Sequence, residues 1–207
     1  EALKGMAPRA VVLTENYRKG TMEKLGLGYE QLKAINPALI YCSISGYGRS
    51  GPYADKGGYD LIAQGQSGLM AVTGEPGRAP VKSGGPVCDI SAGVLAALGV
   101  VSAYVHRLKS GQGQLVDTSL FEAGIQQMYW QAAIYFATGE VPGPTGSAHI
   151  LSAPYHAFRA ADGWLNIGGA NQANWERMCR VLGATDWLAD ARFRSNADRM
   201  KNLDALV

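Results

Sequence analysis

The sequence predicts an α/β fold built on a parallel sheet, and three observations support this. Strand-length apolar runs at residues 9–17 and 38–48 enclose a helical segment at residues 22–37, and strand, helix, strand is the rhythm of a parallel sheet. Two long helical stretches, residues 90–108 and 120–138, flank a further strand. With 207 residues and 47% hydrophobic composition, the chain can bury a sizeable core.

The early elements each have a local signal. The first strand is rich in β-branched residues, and the helical segment after it is closed by Pro37. The apolar positions of this segment are Leu25, Leu27, Leu32 and Ile35. The second strand runs into glycines, and glycine also interrupts the helix predicted at residues 59–74.

The two long helical stretches are poor in charge. Residues 90–108 carry only Arg107, and residues 120–138 carry only Glu122. A helix with no polar face is normally packed against other elements on every side, so we expect both helices to be buried. The weakly polar run at residues 90–105 is shorter than the roughly 20 residues of a membrane span, so no membrane association is predicted.

A change in composition at Gly139 predicts a domain boundary. Residues 1–139 are expected to form part of a large domain, and residues 140–207 a linker and the beginning of a smaller α+β domain. After the proline- and glycine-rich linker, a hairpin is expected to turn at Ala-Asp-Gly. A helix then begins, with Asn171 or Asn174 as its N-cap.

Composition excludes several classes of function. The 19 basic and 17 acidic residues are mixed along the chain, so no nucleic acid partner is expected. Three cysteines without a CxxC pair indicate a reducing compartment and no metal site. The P-loop, the complete G-x-G-x-x-G motif and the G-x-S-x-G elbow do not occur, which removes the strongest signals for nucleotide triphosphates, nicotinamide cofactors and serine hydrolysis.

Asp89 stands after two glycines and a proline, at the start of the first long apolar stretch. A carboxylate there is typical of a helix N-cap, which accepts backbone N–H bonds and opposes the positive end of the helix dipole. The same donors would keep the carboxylate ionised at neutral pH and available as a nucleophile. These residues alone leave both interpretations open.

Several motifs, in order, resemble a known family. VLTENYRKGTMEKLGLGYEQLKAINPALIYCSISGYG, GGYDLIAQGQSGLM and DISAGVLAALGVVSAYVHRLKSGQGQLVDTSL resemble the signature of class III coenzyme A transferases of the formyl-CoA, carnitine-CoA and succinyl-CoA:dicarboxylate type. APYHAFRAADGWLNIG resembles the beginning of that family's small domain. The resemblance implies a Rossmann-like large domain, an interlocked homodimer and a cytoplasmic location, or the mitochondrial matrix in a eukaryote. It also implies that the chain is an internal fragment, inactive as it stands.

The resemblance assigns the role of nucleophile to Asp89, within CDISAG. It implies that Asp89 attacks an acyl-CoA to form a mixed anhydride, which CoA thiolate converts to an aspartyl-CoA thioester that a carboxylic acid acceptor then resolves. Acyl-CoA is therefore expected as a substrate and no cofactor as permanently bound. Because the thioester free energy is conserved, neither ATP nor a metal is needed.

The resemblance also implies substrate contacts. The positions that match CoA contacts are Asn16, Tyr17, Lys24 and Leu25. The positions that match the surroundings of the acyl group are Tyr59, Asp60 and, in the lid, His149. The alternatives are a solvated helix lysine for Lys24, a helix N-cap for Asp60 and an exposed loop residue for His149.

Tyr59 separates this sequence from the related α-methylacyl-CoA racemases, which resemble the same segment but carry histidine there. A tyrosine hydroxyl, with a reference pKa of about 10, is poorly suited to moving an α-proton near neutral pH. A transferase is therefore favoured. The alternatives are a racemase or epimerase, and a non-catalytic α/β binding protein in which Asp89 is only a cap.

Overall fold

The computed structural model describes residues 2–207, which form two compact units. The first unit comprises the chain up to Val72 together with Pro80–Pro142, and the second comprises Thr73–Ala79 and Gly143–Val207. The second unit thus includes a loop segment that composition did not assign to it, and its main part begins shortly after the predicted boundary at Gly139.

The first unit is an α/β fold around a parallel sheet, as predicted. Its strands are β1 (Val12–Glu15), β2 (Ile40–Ser45) and β3 (Leu115–Ser119), in the order β1-β2-β3. Both strand pairs are parallel. The helices of this unit are α1 (Ala2–Met6), α2 (Thr21–Lys24), α3 (Tyr29–Ile35), α4 (Asp60–Gln66), α5 (Val87–Ser110), α6 (Leu120–Gln127) and α7 (Tyr129–Thr138), with 3₁₀ turns at Ala7–Arg9 and Leu69–Val72.

The early helices and β2 share one apolar core. Its buried members are Ala7, Met22, Leu27, Leu32, Leu39 and Tyr41. Of the four apolar positions predicted on the helical segment, Leu25 and Ile35 stay exposed. Leu25 and Leu27 lie in the connection between α2 and α3, and the core takes Leu27 from this connection and Leu32 from α3.

Helix α5 packs across β2 and β3 with a face of small residues. Its buried positions are Cys88, Ala92, Ala96 and Ala103. Gly99 belongs to the same face, because a Cβ built there would lie only 2.6 Å from Cγ1 of Val116 on β3. Small side chains thus let the helix approach the sheet closely.

The opposite face of α5 is exposed, so the expectation that this helix is buried on every side is wrong for the residues described. The large apolar side chains that are more than half exposed are Ile90, Val94, Leu98, Val101 and Leu108. Their spacing of three, four and seven residues makes one stripe along the helix. At 24 residues the helix is longer than the sequence suggested, and length and composition alone would allow it to cross a membrane. Its close packing on the sheet is instead typical of the central helix of an α/β unit.

The stretch predicted as one helix at residues 120–138 is two. Ser119 caps α6, since its Oγ accepts a hydrogen bond of 3.1 Å from the Glu122 backbone N–H. Helix α7 begins at Tyr129 after a break at Met128. None of the residues of α7 is buried, and Phe136 is 82% exposed, so the expectation of burial is wrong here as well.

The second unit contains the predicted hairpin. Its strands β4 (Tyr155–Arg159) and β5 (Trp164–Gly168) are antiparallel. Its helices are α8 (Gln172–Val181), α9 (Asn196–Lys201) and α10 (Leu203–Leu206), with 3₁₀ turns at Thr185–Leu188 and Ala191–Phe193. Asn171 is the N-cap of α8, and its side chain accepts a hydrogen bond from the Asn174 backbone N–H. Trp175 lies at the centre of this unit's core.

Candidate active site

A cleft of about 510 Å³ opens in the first unit where the three parallel strands end. Asn16 and Tyr17 directly follow β1, Gly46 directly follows β2, and Leu120 directly follows β3; all four line the cleft. Ligands of open α/β sheets bind outside the carboxyl ends of the strands. The position of the cleft is therefore set by the sheet topology.

Asp89 lines this cleft from the first turn of α5. Its side chain is exposed, and its pKa is raised above the ordinary value by partial desolvation and then by the nearby charge of Asp60. Asp89 is the third residue of the helix, and the N-cap position is held by Pro86, which makes no side-chain cap. Asp89 therefore does not cap the helix by accepting backbone hydrogen bonds, and its carboxylate lines the cleft. Its charge in the first turn still opposes the positive end of the helix dipole.

Asp60 provides the cap that Asp89 does not. Its Oδ1 accepts a hydrogen bond of 2.8 Å from the Cys88 backbone N–H and a longer one of 3.4 Å from that of Asp89. Asp60 is the first residue of α4, whose own N-cap is Tyr59. Asp60 therefore does cap a helix, and that helix is α5 and not α4, on which it lies. A carboxylate from α4 occupies the positive end of α5.

Two glycines bring the walls of the cleft together. A Cβ built on Gly46 would lie 2.6 Å from both N and Cα of Gly58, and a Cβ on Gly58 would be closer still to Cα of Gly46. The backbone after β2 therefore crosses the loop before α4 in direct contact. This crossing positions Tyr59 and Asp60, which follow Gly58 in the chain and line the cleft.

Three cations that the sequence analysis missed line the same cleft: Arg18, Lys19 and Lys56. Lys19 forms an ion pair of 3.4 Å with Asp55, and the ammonium of Lys56 lies 3.8 Å from the ring centroid of Tyr53. The signal that could have revealed the first two is the Arg-Lys pair immediately after the first predicted strand, residues 9–17. Together the cations can attract a polyanionic ligand.

A hydrogen-bond network around the buried carboxylate of Glu15 was also missed. Glu15 accepts hydrogen bonds from the Tyr17 backbone N–H at 2.9 Å and from Ser43 Oγ at 2.6 Å, and it pairs with Arg49. Asp117 accepts a 3.1 Å bond from the Arg49 backbone N–H. Glu15 thus holds in place the turn that carries Asn16 and Tyr17, at the carboxyl end of β1. Because its partners come from β2 and the loop after β2, single-sequence patterns do not reveal this arrangement.

The structure brings together most of the residues predicted for the site. Those that line the one cleft are Asn16, Tyr17, Tyr59, Asp60 and Asp89. Lys24 and Leu25 are exposed on and just after α2, and they do not line it. His149 lies in the second unit, stacked on Tyr155 with ring centroids 5.0 Å apart. The roles predicted for all eight residues remain predictions.

The family model and two of the curated relatives that match this chain all carry the name CoA-transferase. A family model described as CoA-transferase family III matches residues 1–207. The chain is 39% identical over 191 residues to a succinate–glutarate CoA-transferase of Agrobacterium fabrum, covering 92% of this chain and 48% of the relative. It is 40% identical over 202 residues to an acetyl-CoA:oxalate CoA-transferase of Acetobacter aceti, covering 97% and 52%. The chain thus spans about half the length of these curated relatives.

Solved structures agree with this. A crystal structure of a CAIB/BAIF family protein from Brucella suis matches with a TM-score of 0.85 and 40% identity, covering 99% of this chain and 54% of that protein. A protein from Mycobacterium tuberculosis matches with a TM-score of 0.86 and 28% identity, covering 99% and 53%. The α/β fold with its parallel sheet is therefore shared with proteins of known structure.

Proposed function

This chain belongs to CoA-transferase family III, and on that premise we propose that the full-length protein transfers coenzyme A from an acyl-CoA to a carboxylic acid through Asp89. The observation that carries the proposal is the placement of Asp89, whose carboxylate is not used as a helix cap and faces a cleft at the carboxyl ends of parallel strands. Relatives that act on succinate, glutarate and oxalate make a small dicarboxylic acid the class of acceptor to test first.

The first half of the proposed reaction begins when the Asp89 carboxylate attacks the thioester carbonyl carbon. The carbon–sulfur bond breaks, CoA leaves as a thiolate, and a mixed anhydride remains on Asp89. The thiolate then attacks the Cγ of Asp89 and expels the donor acid as its carboxylate. The product is an aspartyl-CoA thioester, and no proton or water has been consumed.

The second half reverses these steps with the acceptor. Its carboxylate attacks the Cγ of the aspartyl thioester, CoA thiolate leaves, and a second anhydride forms. The thiolate attacks the acceptor carbonyl of this anhydride, which yields the new acyl-CoA and regenerates the Asp89 carboxylate. Water would destroy either anhydride, so productive turnover requires that the cleft be closed to solvent during the reaction.

Arg18 and Lys56 are proposed to bind the phosphates of CoA. Replacing either by alanine is expected to raise the KM for an acyl-CoA about tenfold, because a charge-assisted hydrogen bond to phosphate is lost. The measurement is steady-state kinetics on the full-length protein with acyl-CoA and with the matching acyl-pantetheine, which lacks the phosphates. Lys109→Ala, on the same unit but remote in sequence from the cleft-lining residues, is the control.

The truncated substrate provides the decisive comparison for these cations. If they bind phosphate, the variants and the unsubstituted protein should differ with acyl-CoA and be alike with acyl-pantetheine. An equal increase in KM for both substrates would show that the cations act only by shaping the cleft. Lys24→Ala in the same series tests the role predicted for Lys24 from the sequence.

We further propose that the protein is a homodimer, with the exposed stripe of α5 covered by a second copy. The stripe is apolar and runs along the helix from Ile90 to Leu108. A contiguous exposed apolar patch is typical of an interface. Light scattering on the full-length protein should give the mass of two chains, and Leu98→Glu should shift it toward one, while Lys109→Glu on the same helix should not. A monomeric, folded protein before any substitution would contradict this proposal.

A further inference from the structure

Gln64 is a fully buried polar residue for which the proposed reaction has no direct use. Its Nε2 donates a 2.6 Å hydrogen bond to Oδ2 of Asp60, one turn earlier on α4. Its Oε1 accepts a 2.8 Å hydrogen bond from the backbone N–H of Ser83, in the segment that leads into α5. Both ends of the amide are thus engaged, and a flipped amide would set donor against donor at Ser83 and acceptor against acceptor at Asp60.

These bonds belong to a longer chain of hydrogen bonds that ends at the first turn of α5. Ser83 donates to Gln64, Gln64 donates to Asp60, and the other oxygen of Asp60 accepts from Cys88. Asp89 follows Cys88 directly, and its backbone N–H lies 3.4 Å from Oδ1 of Asp60. The bond from Ser83 fixes the orientation of the Gln64 amide, and the bond from Gln64 fixes the orientation of the Asp60 carboxylate.

We infer that Gln64 is a positioning residue that clamps the carboxylate of Asp60 against the first turn of α5 and so fixes the place from which Asp89 attacks. The inference rests on the proposed function, since it assigns Asp89 the role of nucleophile. Gln64 acts only through Asp60, whose carboxylate would be free to rotate away from α5 if the 2.6 Å bond were absent. A rotation of that kind would release the turn that carries Asp89, and misplacement by about 1 Å can cost on the order of 100-fold in rate.

Electrostatics gives this clamp a second consequence. The charge of Asp60 contributes to the raised pKa of Asp89, after desolvation. The other ionisable groups that line the cleft are Tyr17, Arg18, Lys19, Lys56 and Tyr59. The negative charge of Asp60 opposes ionisation of Asp89. Removing that charge should lower the pKa of Asp89 and move the acidic limb of the pH profile of kcat/KM to lower pH.

The test is a double-mutant cycle on the full-length protein with Asp60→Asn, Gln64→Glu and the two combined. Asp60→Asn alone sets the amide of residue 60 against the amide of Gln64, and Gln64→Glu alone sets two carboxylates together. In the double variant, the new amide donates to the new carboxylate, which still accepts from Ser83, while residue 60 still accepts from Cys88. Each single variant should lose about tenfold or more in kcat, and the double variant should recover to within a few-fold of the unsubstituted protein. Its pH profile should show the acidic limb moved to lower pH, because the charge has moved away from α5.

Controls separate the inference from a general loss of folding. Gln66→Glu changes an exposed glutamine of the same helix and should leave kcat unchanged. Gln64→Met keeps the volume and removes both hydrogen bonds, so it serves if Gln64→Glu does not fold, and it should lower kcat at unchanged KM for acyl-CoA. Additive losses in the cycle, or an unshifted acidic limb, would overturn the positioning role while leaving the transferase intact. An unsubstituted protein that shows no covalent intermediate on Asp89 would overturn the proposed function and, with it, this inference.

Discussion

Replacing Asp89 by asparagine is expected to abolish CoA transfer, with kcat lowered by at least about 10⁴-fold. Asparagine has nearly the same shape but its amide is too weak a nucleophile to form either anhydride. Since Asp60 rather than Asp89 caps α5, the variant should fold with an unchanged thermal transition. A large loss of activity at constant stability is the combination that a cap residue would not produce.

The covalent intermediate can be observed directly. Full-length protein is incubated with succinyl-CoA, quenched with hydroxylamine and digested, and the peptide that contains Asp89 should carry a hydroxamate. The Asp89→Asn peptide should remain unmodified, and Asp162→Asn, which alters an exposed aspartate of the second unit, should label and turn over normally. Exchange of the substrate α-proton without any label on Asp89 would point to racemase chemistry instead. If a panel of acyl-CoAs gave neither the label on Asp89 nor α-proton exchange, this result would contradict an enzymatic role for the cleft.

Local sequence patterns predicted the parts of the fold that depend on neighbours in the chain. The parallel sheet followed from strand, helix and strand in order, and the hairpin and the Asn171 cap followed from short turn and cap signals. Burial of α5 was predicted wrongly because a low number of charged residues shows that a helix is apolar, but not that every face of it is packed against other elements. A helix with Ala92 on one side and Leu98 on the other is apolar all round, yet only the side with the smaller residue meets the sheet.

Sequence predicted the site residues that follow a strand or begin a helix, but it did not predict contacts between distant elements. Asn16 follows β1 directly and Asp89 lies in the first turn of α5, so topology alone brings them to the same edge of the sheet. The resemblance to a known family supplied the roles. The cap that Asp60 provides for α5 and the pairing of Glu15 with Arg49 join elements distant in sequence, and such contacts leave no periodic signal in one chain.

The second large effect is expected at the glycine crossing, where Gly46→Ala or Gly58→Ala should disable the cleft. The neighbour that a new Cβ would meet is backbone, which cannot rotate away as a side chain can. We expect a loss of about 3 kcal/mol or more in the free energy of unfolding, seen as a lowered Tm.

The rate should suffer more than the stability at this crossing. Separation of the two backbone segments would move Tyr59 and Asp60 relative to Asp89, and a shift of about 1 Å is enough to lower kcat on the order of 100-fold. Thermal unfolding and transferase kinetics on the full-length protein measure both effects. Gly84→Ala is the matched control, because a Cβ built on that exposed glycine meets no atom within 4 Å and should change neither quantity. An active, stable Gly46→Ala protein would mean that the two segments separate without moving the cap on α5, and the crossing would then have no part in positioning the site.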